Sequence, residues 1–205
     1  MKKIIFFILT LVFFSCKKET AESTPSEIAT TKSDSIVYAT SDFEPHLKFD
    51  SELVEYDLTG LKDPKNFTAQ ELAFKVKEND YNFNKSADFK YYTTDTFDLN
   101  DVKYEIIAYS TYGENDAKVA NLQLNSYVSN KQVDAVLLDC RFTFEIEYYR
   151  HFEIKKDGSI IIKKFAIDGL RYNEAGDIIG KKAVKDTVTD IAKYKINTKG
   201  QFIKY

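Results

Sequence analysis

The feature that most constrains this chain is a two-residue alternation over residues 142–155. Phe142, Phe144, Ile146, Tyr148, Phe152 and Ile154 fall on one side, interrupted by Arg150. Thr143, Glu145, Glu147, Tyr149, His151 and Glu153 fall on the other. Successive side chains of a strand point to opposite faces, so the pattern predicts one long antiparallel strand, buried on one face and solvated on the other. Residues 104–110, 120–127, 133–139, 159–167, 188–196 and 201–205 also read as strands.

A recurring turn joins them. The form apolar-x-x-x-Gly-x-apolar occurs at Ile154, Gly158 and Ile160, at Tyr172, Gly176 and Ile178, and at Ile196, Gly200 and Phe202. A fourth copy, Tyr127, Lys131 and Val133, has Lys in the glycine position. A short turn that needs one residue at positive φ explains the glycine, which has no Cβ to clash there. The copies are irregularly spaced, which fits a meander of hairpins and not a solenoid or propeller.

One helix is expected over residues 68–78. Thr68 and Glu71 have the spacing of a capping box, and Leu72, Ala73 and Val76 supply an apolar stripe. A strand with Leu72, Phe74 and Val76 on one side is the competing reading. The expected fold is mainly β, with α+β possible. It is a large antiparallel meander of roughly eight to ten strands, either a curved open sheet or a barrel, with a short helix near its start.

Few residues suggest chemistry. The formal net charge of −3 gives no basic face for nucleic acid. Glu145, Glu147, Tyr149 and His151 share the polar side of the long alternation and form the candidate binding face. A zinc site wants three or four nitrogen or sulfur ligands. The only other histidine, His46, is far away in sequence, so no metal and no other cofactor is expected. Asp95, Asp98, Asn100 and Asp101 lack EF-hand spacing and read as turn residues. Cys140 reads as a small core residue; a dyad with His151 would lack an orienting group and an oxyanion site. Adjacent tyrosines, such as Tyr91 with Tyr92 and Tyr148 with Tyr149, must face opposite sides of a strand, so some can form a recognition patch.

The N-terminus carries an address. Lys2 and Lys3 precede an apolar run over residues 4–14, followed by Ser15 and Cys16. The run is shorter than the roughly 20 apolar residues that span a bilayer, and it has the layout of a secretory signal. Phe13, Phe14, Ser15 and Cys16 resemble a bacterial lipoprotein lipobox, with Phe13 where Leu is usual. With its Lys-, Phe- and Tyr-rich remainder, the chain is similar to β-rich lipoproteins of the Bacteroidetes, flavobacteria in particular. That resemblance implies cleavage before Cys16 and acylation of Cys16, such as with palmitate. It also implies anchorage in the cell envelope, at the outer membrane, with the periplasmic and surface faces both open. Several acyl chains hold far more firmly than one, because each buried CH2 contributes about 0.8 kcal/mol.

Residues 17–44 are rich in Ser, Thr, Glu and Lys and are expected to form a flexible tether, as too little apolar surface is present to offset ordering. The expected division is residues 1–15 as signal, 16–44 as lipidated Cys and tether, and 45–205 as a single β-meander domain. Removing residues 17–40 should then leave the melting temperature unchanged. The expected function is a non-enzymatic module that binds an envelope protein or ligand. Carriage of an apolar molecule in a half-barrel, and hydrolysis of envelope polymers, are the alternatives.

Overall fold

The computed structural model describes residues 35–49, 54–113 and 116–205. The signal segment, Cys16 and most of the expected tether lie outside these residues. The described chain runs β1 (Ile36–Ala39), two 3-10 turns (Thr40–Asp42 and Glu44–His46), β2 (Leu47–Phe49), β3 (Val54–Tyr56), β4 (Lys65–Asn66) and α1 (Ala69–Ala73). It continues through β5 (Lys90–Leu99), β6 (Val102–Tyr112), β7 (Lys118–Val128), β8 (Lys131–Thr143), β9 (Glu147–Lys155), β10 (Ser159–Tyr172), β11 (Ile178–Ile196) and β12 (Phe202–Lys204). Strands β4 to β12 lie side by side in chain order, β1 adds to β9, and β2 pairs with β3 apart from them. The protein is mainly β, and its ten-stranded antiparallel sheet is open, not a closed barrel.

The predicted single strand over 142–155 is two strands. β8 ends at Thr143, and β9 returns antiparallel to it, with Phe142 opposite Tyr148 and Thr143 opposite Glu147. Those are the only β8–β9 pairs, so the sheet folds over at this corner. The two halves share one core: Tyr104, Ile106, Leu124 and Leu138 from one side meet Phe152, Ile154, Ile160 and Ile162 from the other. Burying each of the Ile, Leu and Phe side chains stabilises the fold by about 1.5–3 kcal/mol.

The glycine turns form as expected. Gly158, Gly176 and Gly200 have φ of 80°, 88° and 75°. Each donates its N–H to the carbonyl three residues earlier, at Lys155, Asn173 and Asn197. The fourth copy differs: positive φ falls on Ser129 and Asn130, so a two-residue turn joins β7 and β8, and Lys131 is already in the strand. Asn100 and Asp101 make the equivalent turn between β5 and β6.

The helix is shorter than expected. Thr68 Oγ1 accepts from the Glu71 N–H at 3.2 Å, and Glu71 Oε2 accepts from the Thr68 N–H at 2.7 Å, completing the capping box. Phe74 is already extended, with φ −75° and ψ 123°. Beyond it, Lys77 donates its N–H to Ala135 and accepts from the Leu137 N–H, sealing the free edge of β8. Satisfying that edge outweighs a further helical turn.

The boundary expected at residue 45 also moves. Ile36–Ala39 pairs with the Glu153–Lys155 stretch of β9. The Phe152 N–H donates to Thr40 Oγ1 at 2.6 Å, and Phe43 is buried in the main core. The last third of the expected tether is therefore part of the fold, and deletion of residues 17–40 would remove β1 and Thr40 and lower the melting temperature instead of leaving it unchanged.

Candidate functional site

The site is built where the folded corner, the first 3-10 turns and the long β10–β11 hairpin meet. β9 presents Glu147, Tyr149 and His151 on one face because the period of a strand is two. Across the β9–β10 ladder, Tyr149 lies opposite Phe165 and His151 opposite Lys163. Tyr149 and Phe165 stack with ring centroids 4.9 Å apart, and the His151 ring meets Phe165 edge-on at 5.2 Å. Tyr149 and His151 line a cleft of about 350 Å³, and Phe165 packs against both rings from outside the lining.

Arg141, from the end of β8, also lines the cleft. Its side chain is buried, and its guanidinium carbon lies 5.7 Å from the Tyr149 ring centroid. Nε donates to Asp139 Oδ2 at 2.5 Å. Asp139 in turn accepts from the Tyr56 hydroxyl at 2.6 Å and from the Arg150 N–H at 2.9 Å. Two charges two residues apart on one strand thus compensate each other in the interior. Burial and the adjacent Asp139 carboxylate push the Tyr56 hydroxyl well above its ordinary pKa, so it stays a donor.

Glu44, from the second 3-10 turn, and Lys185, from β11, complete the rim. Lys185 lies 3.4 Å from Glu147. The guanidinium is matched by Asp139 and Lys185 by Glu147, so the cleft offers hydrogen-bond donors and acceptors beside aromatic faces. That set suits a polar ligand with an apolar face, held by shape and a few directed hydrogen bonds. Packing, and after it the Arg141 charge, lower the pKa of His151 from its ordinary value, which leaves the ring neutral at pH 7.

Three of the four expected binding-face residues, Glu147, Tyr149 and His151, come together here. Glu145 does not line the cleft; it sits in the bend between β8 and β9, where its Oε2 accepts from the Tyr172 hydroxyl at 3.3 Å. Arg141, Glu44 and Lys185 were absent from the sequence reading. Arg141 leaves a signal, because Asp139 and Arg141 are a charged i, i+2 pair inside the apolar run of β8. Cys140 points elsewhere, into a satellite cluster with Val119, Leu137 and Phe142, and burial pushes its thiol up to about 12. Among the described residues no group of three or more His, Cys, Asp and Glu side chains is placed to hold a metal ion. Among them, too, no helix is long and apolar enough to cross a membrane.

Comparison of the chain with protein-family models, with curated proteins and with solved structures returns no match.

Proposed function

We propose that the chain is a non-enzymatic binding module of a bacterial envelope. It is tethered to a membrane through lipid on Cys16, and it takes a polar ligand or a partner's side chain in the cleft beside Arg141. The observation that carries this reading is the cleft itself: a buried, charge-compensated guanidinium beside the Tyr149 and His151 rings, in a space of about 350 Å³. Carriage of an apolar molecule against the sheet is the weaker reading. The cavity between strands β5–β7 and the N-terminal segment, lined by Tyr38, Phe43, Tyr56, Leu58, Ala108 and Leu122 among others, has a volume of about 120 Å³. Small-molecule pockets usually need roughly 300 Å³ or more.

Two experiments test the proposal. Replacing Cys16 by Ala is expected to abolish fatty-acid labelling of the chain in cells, and retained labelling would remove the anchor from the reading. Photoreactive benzoylphenylalanine at His151 is expected to capture a ligand or partner in intact cells. The same group at Lys62, exposed and outside the cleft lining, should capture nothing. Equal capture at the two positions, or none at either, would overturn the binding cleft.

A further inference from the structure

The sheet treats its edges unequally. Lys77 seals β8, β1 covers β9, and β4 covers the start of β5. The rest of β5 carries a bulge between Thr93 and Asp95. The outer half of β11 is guarded in the same way. Its register with β10 slips between Asp168 and Leu170, so residues 182–185 bulge against Gly169, and Lys181, Lys182 and Lys185 lie along it. Bulges and lysines on an edge discourage other strands from pairing there.

Over residues 186–192, between that bulge and β12, there is neither a bulge nor a lysine, and the charged residues are Asp186 and Asp190. β12 pairs only with Tyr194, Lys195 and Ile196. Residues 186–192 have no strand on their outer side among the described residues. This stretch contains no Lys and no Pro, and Thr187, Val188, Thr189 and Ile191 are strong strand formers. It pairs with β10 without a register slip, from Asp186 opposite Asp168 to Ala192 opposite Ile162. Its free N–H and C=O groups are therefore in strand geometry and available to an added strand.

The side chains say which strand fits. Asp186, Val188 and Asp190 share one face, and all three are exposed, at 73% and 74% for the two aspartates' side chains and 69% for Val188. Asp186 lies 2.9 Å from Lys182 and Asp190 3.7 Å from Lys164, which leaves each carboxylate room for a second partner. A second copy of this edge fits poorly. A two-fold pairing centred on Val188 sets Asp186 against Asp190 twice; one centred on Thr189 sets Lys185 against Lys193 twice. Like charges directly opposite each other are destabilising in a sheet. A foreign strand with basic residues opposite the two aspartates and an apolar one between them meets no such conflict.

We infer that the open edge at residues 186–192 of β11 is a docking site for an extended segment of a partner protein with the pattern basic-x-apolar-x-basic, bound by strand addition. This surface is separate from the Arg141 cleft and does not depend on it. The test uses the full chain and two blocked heptapeptides, Ac-TKTVTKT-NH2 and its acidic analogue Ac-TETVTET-NH2. The basic peptide is expected to protect the outward-facing backbone amides of Thr187, Thr189 and Ile191 and to shift those of residues 186–192 by nuclear magnetic resonance, and to bind about tenfold more tightly than the acidic one. In the variant Asp186→Lys/Asp190→Lys, checked for an unchanged melting curve, the preference should invert. Equal binding of the two peptides, perturbation elsewhere on the chain, or protection of the same amides by self-association without peptide would overturn the inference. If the variant fails to fold, the selectivity and the amide map of the unaltered chain decide alone.

Discussion

Replacing Asp139 by Ala is expected to lower stability by about 3–5 kcal/mol, the usual consequence of removing one partner of a buried ion pair. For a chain of this size, each kcal/mol shifts Tm by roughly 2–4 °C, so the melting point should fall by about 6–20 °C. Asp139 is 1% exposed and Arg141 is 5% exposed. Removal of the carboxylate strands three donors at once: Arg141 Nε, the Tyr56 hydroxyl and the Arg150 N–H. Most of the loss arises from the guanidinium, which is left in the interior without a counter-charge. Arg141→Met in the Asp139→Ala background should therefore recover part of it. The residual deficit reflects the Tyr56 hydroxyl and the Arg150 amide, which still lack an acceptor. Urea or thermal unfolding of the two single variants and the double variant would give a coupling energy of about 1–3 kcal/mol. Additive losses, or a single loss below about 1 kcal/mol, would show that the pair is spectator chemistry. The same variants test the cleft, because Asp139 is what holds Arg141 beside Tyr149.

How far the fold was legible in the sequence depends on how local the cause is. The meander is legible because alternation and positive-φ glycines are local requirements, and Gly158, Gly176 and Gly200 turn the chain where their spacing says. The corner between β8 and β9 is hidden for a geometric reason. Phe142 opposes Tyr148, so residues of equal parity stay on one face through the reversal. The alternation runs across the bend without a break, and neither Gly nor Pro marks it. In β6, β7 and β8 the reverse problem appears. Both faces are buried, so the run over Ala135, Val136, Leu137 and Leu138 shows no period at all. The site divides along the same line. Glu147, Tyr149 and His151 share a face through strand period alone. Glu44 and Lys185 arrive from elements far away in sequence, positioned by pairings that no local pattern encodes.

The N-terminal boundary gives the second large expected effect. A chain starting at Ser33 keeps β1 and both 3-10 turns, and on the expectation of a polar tether over residues 17–34 it should melt within about 2–3 °C of the full chain. A chain starting at Glu44 loses the β1–β9 pairing, the Thr40–Phe152 hydrogen bond and Phe43. Loss of a buried Phe side chain alone costs about 3–5 kcal/mol, and a lost hydrogen bond that leaves the Phe152 N–H unpaired adds about 1–3 kcal/mol. The melting point should then fall by more than about 10 °C. Thermal unfolding followed by circular dichroism separates the two truncations, and the point variants Phe43→Ala and Thr40→Val assign the loss to its parts. Equal melting points would show that β1 is an ornament on β9. The sequence hides this because four residues, Ile36 to Ala39, are too few to shift the composition of a polar stretch, and their stability comes from the edge of β9. The consequence reaches the site. Glu44 enters the cleft directly after Phe43, so the core contact that fixes Phe43 against Phe152, at a ring separation of 5.9 Å, also fixes one acidic wall of the cleft. Truncation to Glu44 should therefore reduce capture at position 151 even at a temperature where the shortened chain is still folded.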